Sequence, residues 1–334
     1  MGGAAGGQVL ARARSSQIRP ISPTLPPMRL YVGLTHRDWY RYLAQHQELE
    51  EVNFWRPRSQ SEFRALSEGD PFLFKLHYPE RAICGMGWFE GFTKLPVHLA
   101  WKFFKEGNGA PTYEEFLKRL HSLRHGEPVL ESEELGCIML RSLTMFPRDD
   151  WIPEPSDWER NIVQGKGYDP DVGVGRELWE QVLERLSGAP LPAGEHREEA
   201  PVQFTEGWSR QRRGQGAFAA LVATAYQRRC AFTRERVLPT LEACHIRPAA
   251  KGGSHAVSNG LLLRSDVHQL FDLGYLGLHP TTLQIQASPR LQLEFQNGAE
   301  YRALQGQVPI LPVAAGDRPS PAQLEWHMDH LFRR

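Results

Sequence analysis

Between Met28 and Leu186, short apolar runs with the two-residue period of strands take turns with runs that have the period of helices. In "RLYVGLT" (29–35), Leu30, Val32 and Leu34 alternate with other residues, which predicts a half-buried strand. "HRDWYRYLAQHQ" (36–47) is then read as a helix. "DPFLFKLHYP" (70–79) and "AICGMGWFEG" (82–91) are strands separated by turn residues. Next come helical stretches at 97–107 and 112–123, the strand "GCIMLRSLTMF" (136–146), and "GRELWEQVLERLSG" (175–188), a helix with a glycine stop. Periodicity then lapses in "SGAPLPAGEHREEAPVQFT" (187–205), a Pro- and Gly-bearing stretch that reads as a linker. "GQGAFAALVATAYQRR" (214–229) resumes as an amphipathic helix, and "SPAQLEWHMDHLFRR" closes the chain as another. Between them lies a window with its own logic: a strand over Thr240–Arg247, a Gly/Ser loop, and a short helix opening at Ser265 or Asp266. No internal repeat is evident.

Composition adds boundaries to this pattern. A chain of 334 residues, 41% hydrophobic and 23% charged, is long enough for two ordinary soluble domains. No apolar run approaches the length of a membrane span. Residues 1–27 lack an apolar h-region and any acidic residue, so they read as a disordered leader, or an overlong start ahead of Met28. Cys84, Cys137, Cys230 and Cys244 are scattered with no C-x-x-C pair, which argues against a disulfide scaffold and suits a reducing cytoplasm. The formal charge of zero hides a bias: from Glu206 to Arg264 ten basic residues face three acidic ones, net +7. A basic stretch is usually only a solvated surface, but this one leads into a cluster of metal-ligand types, which favours an anionic substrate.

The cluster is "LEACHIRPAAKGGSHAVSNGLLLRSDVHQLFD" (241–272). Asn259 follows His245 by 14 residues, His268 follows nine later, and Asp272 four after that. Positions four apart on a helix share a face, so His268 and Asp272 can aim an imidazole and a carboxylate at one point. A divalent ion held there would suit phosphodiester hydrolysis, with His245 as a base at neutral pH and Asn259 bonding across the loop. Other residues have plainer readings. His255 is read as an ordinary loop histidine and Asp266 as a helix cap. A His–Asp pair alone would also fit a solvated helix face.

The set His245, Asn259 and His268 within "EACHIRP…VSNGLLLRSDVHQLFD" closely resembles the His-Asn-His (HNH, ββα-metal) nuclease motif, and the likeness spans about residues 208–285. The resemblance implies a general base at His245, a loop-orienting role for Asn259, and a metal ligand at His268 beside Asp272. Many relatives carry Asp or His where Cys244 stands, and sulfur suits Mg²⁺ poorly. Cys244 is therefore the third candidate ligand after His268 and Asp272, with Glu242 a lesser one. The implied cofactor is one Mg²⁺ or Mn²⁺ ion. No structural zinc is expected, because Thr233 stands where a knuckle cysteine would follow Cys230. Arg213, Arg247 and Arg264 are the candidate contacts to DNA phosphate.

Upstream, "FRALSEGDPFLFKLHYPERAICGMGWFEG" (63–91), with "EVNFWRP" (51–57) and "THRDWYRYL" (35–43), is similar to PUA-like barrels of the EVE and SRA type. That likeness implies a domain over 28–186 that flips a modified base into an aromatic pocket. Trp39, Trp55, Trp88 and Trp151 are candidates for its wall, and Asn53 and Lys75 for its polar contacts, although core packing is the commoner fate of tryptophan. "NIVQGKGYD" (161–169) reads as a loop that could touch phosphate through Lys166. The expected fold class is α+β: an N-terminal PUA-like β-barrel with flanking helices, a linker (187–205), and a C-terminal ββα-metal nuclease domain (206–334). The expected function is a modification-dependent, type IV-like restriction endonuclease acting on double-stranded DNA with modified cytosine, with a homodimer as one assembly open to it and no membrane partner. Two rival readings stand beside it: a catalytically weak or inactive protein that binds modified nucleic acid, and an HNH nuclease that reads RNA or unmodified DNA.

Overall fold

The structure is a computed structural model that describes residues 27–57, 61–124, 126–187 and 214–334. The leader, most of the expected linker, and Arg213 lie outside the described residues. The N-terminal unit is built on a seven-stranded mixed sheet. Its strands are β1 (Leu30–Thr35), β2 (Glu51–Arg56), β3 (Pro71–Leu76), β4 (Ala82–Pro96), β5 (Glu134–Met145), β6 (Ile152–Pro153) and β7 (Gly165–Tyr168). They run β2-β5-β4-β3-β1-β7, with β6 on β4, and only β1 and β3 pair in parallel.

The alternation of side chains along β3 shows how both faces are covered. Phe72, Phe74 and Leu76 enter one core, where α1 (Arg37–Gln45), α2 (Val97–Phe104) and α3 (Tyr113–Leu123) contribute Trp39, Leu43, Leu99, Phe116 and Leu120. Leu73 enters the opposite core with Leu178, Trp179 and Val182 of α4 (Gly173–Ser187). A strand buried on both sides reads as a continuous apolar run, as "PFLFKL" does.

The α+β class holds, but among the described residues the sheet does not close into a barrel: its edge strands β2 and β7 do not pair. What joins the two edges is a side-chain bond, in which the Arg56 guanidinium donates to the Gln164 amide oxygen just before β7. The expected loop at 161–169 contains β7 itself, which pairs antiparallel with β1. Lys166 there is spent on Asp157, 2.7 Å away.

The C-terminal unit begins with α5 (Gln215–Ala225), then β8 (Leu241–His245) and β9 (Gly260–Arg264) as an antiparallel pair, and α6 (Ser265–Asp272). The pair β10 (Leu276–Leu278) and β11 (Ile285–Ala287) follows, then short helices α7 (Arg290–Phe295) and α8 (Ala299–Arg302), and α9 (Pro321–His330). Helix α5 serves both units: Ala217 and Ala220 lie in a core of the N-terminal unit, whereas Phe218, Val222 and Ala223 lie in the C-terminal one. Among the described residues no helix is long and apolar enough to cross a membrane.

Candidate functional site

β8, β9 and α6 place three chemically active side chains beside one another. The β8–β9 register sets His245 opposite Gly260 and Cys244 opposite Leu261, so the last residues of β8 and the first of β9 frame the intervening loop. Asn259, 1% exposed, holds that loop shut. Its side-chain oxygen accepts the Arg247 N–H at 2.9 Å, and its amide donates to the carbonyls of Arg247 (3.0 Å) and Ser254 (2.7 Å). Three bonds from one buried amide fix both ends of the loop and leave its polar groups paired.

His245 leaves the strand half-buried, its ring stacked on Phe218 with centroids 4.0 Å apart and planes 12° apart. The edge of His255 meets it at 4.8 Å. The Phe218 ring in turn requires glycine at 260, where an added Cβ would sit 3.0 Å from that ring and 2.5 Å from Val222. Burial, aided by neighbouring His255, lowers the His245 pKa to about 4, so the imidazole is neutral at pH 7 and a weaker base than an ordinary histidine. Its Nε2 is enclosed and, among the described residues, has no hydrogen-bond partner, the kind of orphaned polar atom that functional sites tolerate.

Across from it, His268 and Asp272 share one face of α6, as their spacing predicts, with Nε2 3.2 Å from the carboxylate. The other ring nitrogen, Nδ1, lies 2.8 Å from Glu242 on β8. Burial alone would depress the His268 pKa, but the hydrogen bonds and charges of Asp272 and Glu242 outweigh it and raise the value. Cys244 Sγ is 3.7 Å from Asp272, and one donor atom each from Cys244, His268 and Asp272 lies within 4.8 Å of the others. The fit to a divalent cation is uneven. His268 and Asp272 offer a borderline nitrogen and a hard oxygen at the surface. Cys244 is fully buried, and burial together with the Asp272 charge raises its pKa well above the ordinary value, leaving a thiol rather than a thiolate.

The arginines sort differently. Arg247 lies over the Trp326 ring at 5.2 Å. Arg264 is held by both carboxylate oxygens of Asp266 (2.6 and 2.7 Å) and by Glu300 (2.8 Å). Asp266 makes that pair and accepts from Tyr301 at 2.9 Å; Arg264 occupies the capping position of α6.

A second cavity, about 440 Å³, opens in the N-terminal unit between the two edges of the sheet. Trp39 and Trp55 line it, with Tyr31, Phe54, His77 and Arg56. Trp55 is anchored there by its indole N–H, which donates to the Asn108 carbonyl at 2.8 Å. Asn53, Trp88 and Lys75 are not among its lining residues. Asn53 is fully buried and donates to the Asn108 side chain at 3.0 Å. Trp88 packs edge-on to Trp179 in the opposite core, and Lys75, 2% exposed, pairs with Glu154 at 3.0 Å beneath Trp158. Sequence reasoning missed Phe218, Tyr31 and Phe54, whose roles depend on contacts far apart in the chain. It underrated Glu242, which stands two residues before Cys244 on the same strand face and could have been found by that spacing.

Residues 230–279 match the family model described as HNH endonuclease. Among solved structures, the chain is similar to the ASCH protein of Zymomonas mobilis at 12% identity, over 46% of this chain and 94% of that one, with a TM-score of 0.31. Two single-residue mutants of that protein align at 11% identity with TM-scores of 0.32 and 0.33, covering 45% and 47% of this chain and 95% and 99% of theirs. No curated protein matches the chain.

Proposed function

We propose that the chain is a metal-dependent DNA endonuclease of the modification-dependent, type IV-like restriction kind, cutting phosphodiester bonds in double-stranded DNA that carries modified cytosine. One observation supports the cutting half above the others: within the segment matching the HNH endonuclease family, a neutral, stacked His245 stands beside the donor group of His268 and Asp272. In this reading His245 takes the proton of the attacking water as the water oxygen bonds phosphorus and the 3′ oxygen departs. Phe218 holds the imidazole face and Asn259 holds the loop that leads from it. A Mg²⁺ or Mn²⁺ ion, carried by His268 and Asp272, would supply neutralisation of charge on the scissile phosphate. Arg247 is the described arginine best placed to meet the DNA backbone.

The reading half rests on the aromatic cavity between the sheet edges, which is large enough for a flipped nucleotide and offers Tyr31 and Phe54 as stacking surfaces, with His77 and Arg56 as polar contacts. An HNH site that grips mainly backbone needs such a second element for specificity. The competing reading, a modified-DNA binder with a weakened nuclease, is favoured by one feature, the fully buried sulfur of Cys244 at a ligand position, a donor that suits Mg²⁺ poorly. Plasmids with and without cytosine modification, incubated with Mn²⁺, decide between them. Selective cutting of the modified plasmid is expected. Equal cutting of both would remove the modification reading, and selective binding without cutting would favour the weakened nuclease.

A further inference from the structure

The start of α5 is closed by a residue from the other unit. Glu51, the first residue of β2, accepts the backbone N–H groups of Gly216 (2.8 Å) and Ala217 (2.9 Å) through its two carboxylate oxygens. Those N–H groups are in the first turn of α5, where no residue of the helix can satisfy them. The chain is shaped for this approach: an added Cβ at Gly214 would lie 1.9 Å from the Glu51 carboxyl carbon, and one at Gly216 would lie 2.8 Å from the Phe103 carbonyl. One residue beyond Ala217, the same turn carries Phe218, the ring stacked on His245. Further along, Thr93 of β4 bonds Thr224 at 2.7 Å, and Lys102 of α2 donates to the Leu241 carbonyl at 3.1 Å, where β8 begins. Both elements that fix His245, its own strand and the helix stacked on it, are therefore tied to the N-terminal unit.

We propose that Glu51 is a positioning residue for His245: from the N-terminal unit its carboxylate fixes the first turn of α5, and so the Phe218 face against which the imidazole is held. The proposal rests on the nuclease reading for its effect on rate, but not for its effect on the ring. The nuclease half is not a free tool on a tether; its base is seated partly by the sheet that frames the aromatic cavity, since β2 carries Glu51 at one end and Phe54, Trp55 and Arg56 of the cavity wall at the other.

The test uses the full chain with Glu51→Ala, Glu51→Gln and, as a control, Val182→Ala, which loosens the opposite core. Two readouts are taken: single-turnover plasmid cleavage with Mn²⁺ across DNA concentrations, and the His245 ring-proton shifts in metal-free protein. Glu51→Ala should slow cleavage about tenfold at saturating DNA with half-saturation unchanged, as expected for a base out of line. It should also move the His245 ring protons away from the upfield position that a stacked phenyl ring imposes. Glu51→Gln, which keeps one carbonyl acceptor, should fall between, and it carries both readouts should the alanine variant not fold. Val182→Ala should change neither. If the Glu51 variants leave rate and ring shifts where the control leaves them, the proposal is overturned. Should the wild-type chain cut no DNA with any divalent ion, the nuclease reading fails while the ring shifts still judge the role of Glu51.

Discussion

At the scale of single residues, the proposed proton acceptor, His245, is distinct from the groups that seat it, Phe218 and the loop held by Asn259. His245→Ala should lower cleavage by at least about a hundredfold while DNA binding stays near its original strength, because a general base acts in the transition state and adds little to ground-state affinity. Nicking rate and binding measured on the same preparation check this. Glu242 works at one remove: by bonding Nδ1 of His268 it leaves Nε2 turned toward Asp272. Removing such an orienting partner commonly costs ten- to a hundredfold in metal affinity, so Glu242→Ala should raise the Mn²⁺ dissociation constant by about that much in titration calorimetry. An unchanged constant would detach Glu242 from the metal. The histidines, Asn259 and Asp272 were legible in the sequence because their spacing on strand, loop and helix is local. Of the cavity candidates, Trp39 and Trp55 line it, whereas Trp88, Asn53 and Lys75 do not. Tryptophan content says nothing of which sheet face a ring takes, and Lys75 found an internal carboxylate that sequence could not pair with it.

At the scale of elements, α6 and α9 show how the C-terminal unit is stabilised and how acid should undo it. His327 of α9 is fully buried, stacked on Phe271 of α6 at 3.9 Å, and donates from Nε2 to the Phe271 carbonyl at 3.0 Å. Burial lowers its pKa to about 4, against about 6.5 in an unfolded chain. Above pH 6.5 the ring is neutral in both states and costs nothing. As pH falls from 6.5 to 4, the unfolded chain gains a proton that the fold refuses, so stability declines through that window and levels off below it. The full effect is roughly 3 kcal/mol. Urea unfolding of chelated protein should show this slope, and His327→Gln should flatten it; an identical slope in the variant would place the effect elsewhere. Most elements of the N-terminal unit are legible from periodicity; in the C-terminal unit β9 is not, since "GLLLR" is buried on both faces and has no alternation to announce a strand. β7 reads as a loop in the sequence because its glycines and lysine carry no apolar signal; only pairing with β1 makes it a strand.

At the scale of the whole molecule, sequence could not show that α5 belongs to two cores, because one helix period can hide two buried faces. A fragment starting at residue 206 would expose Ala217, Ala220 and the Leu221 side chain that packs near Gly91. Burying a leucine is worth about 1.5–3 kcal/mol, so this fragment should unfold at a clearly lower urea concentration than the same unit in the full chain. Equal midpoints would show that the helix needs no partner. The shared helix also imposes a birth order on the protein. A ribosome delivers the chain from its N-terminus at about 5–20 residues per second, so residues 28–186 can fold before α5 leaves the exit tunnel. Glu51 and the sheet are then waiting when Phe218 arrives, and His245 emerges last of the three. A nascent chain thus completes the sheet and its aromatic cavity before the strand that carries His245 can find its seat, so the later unit is assembled on a template already in place.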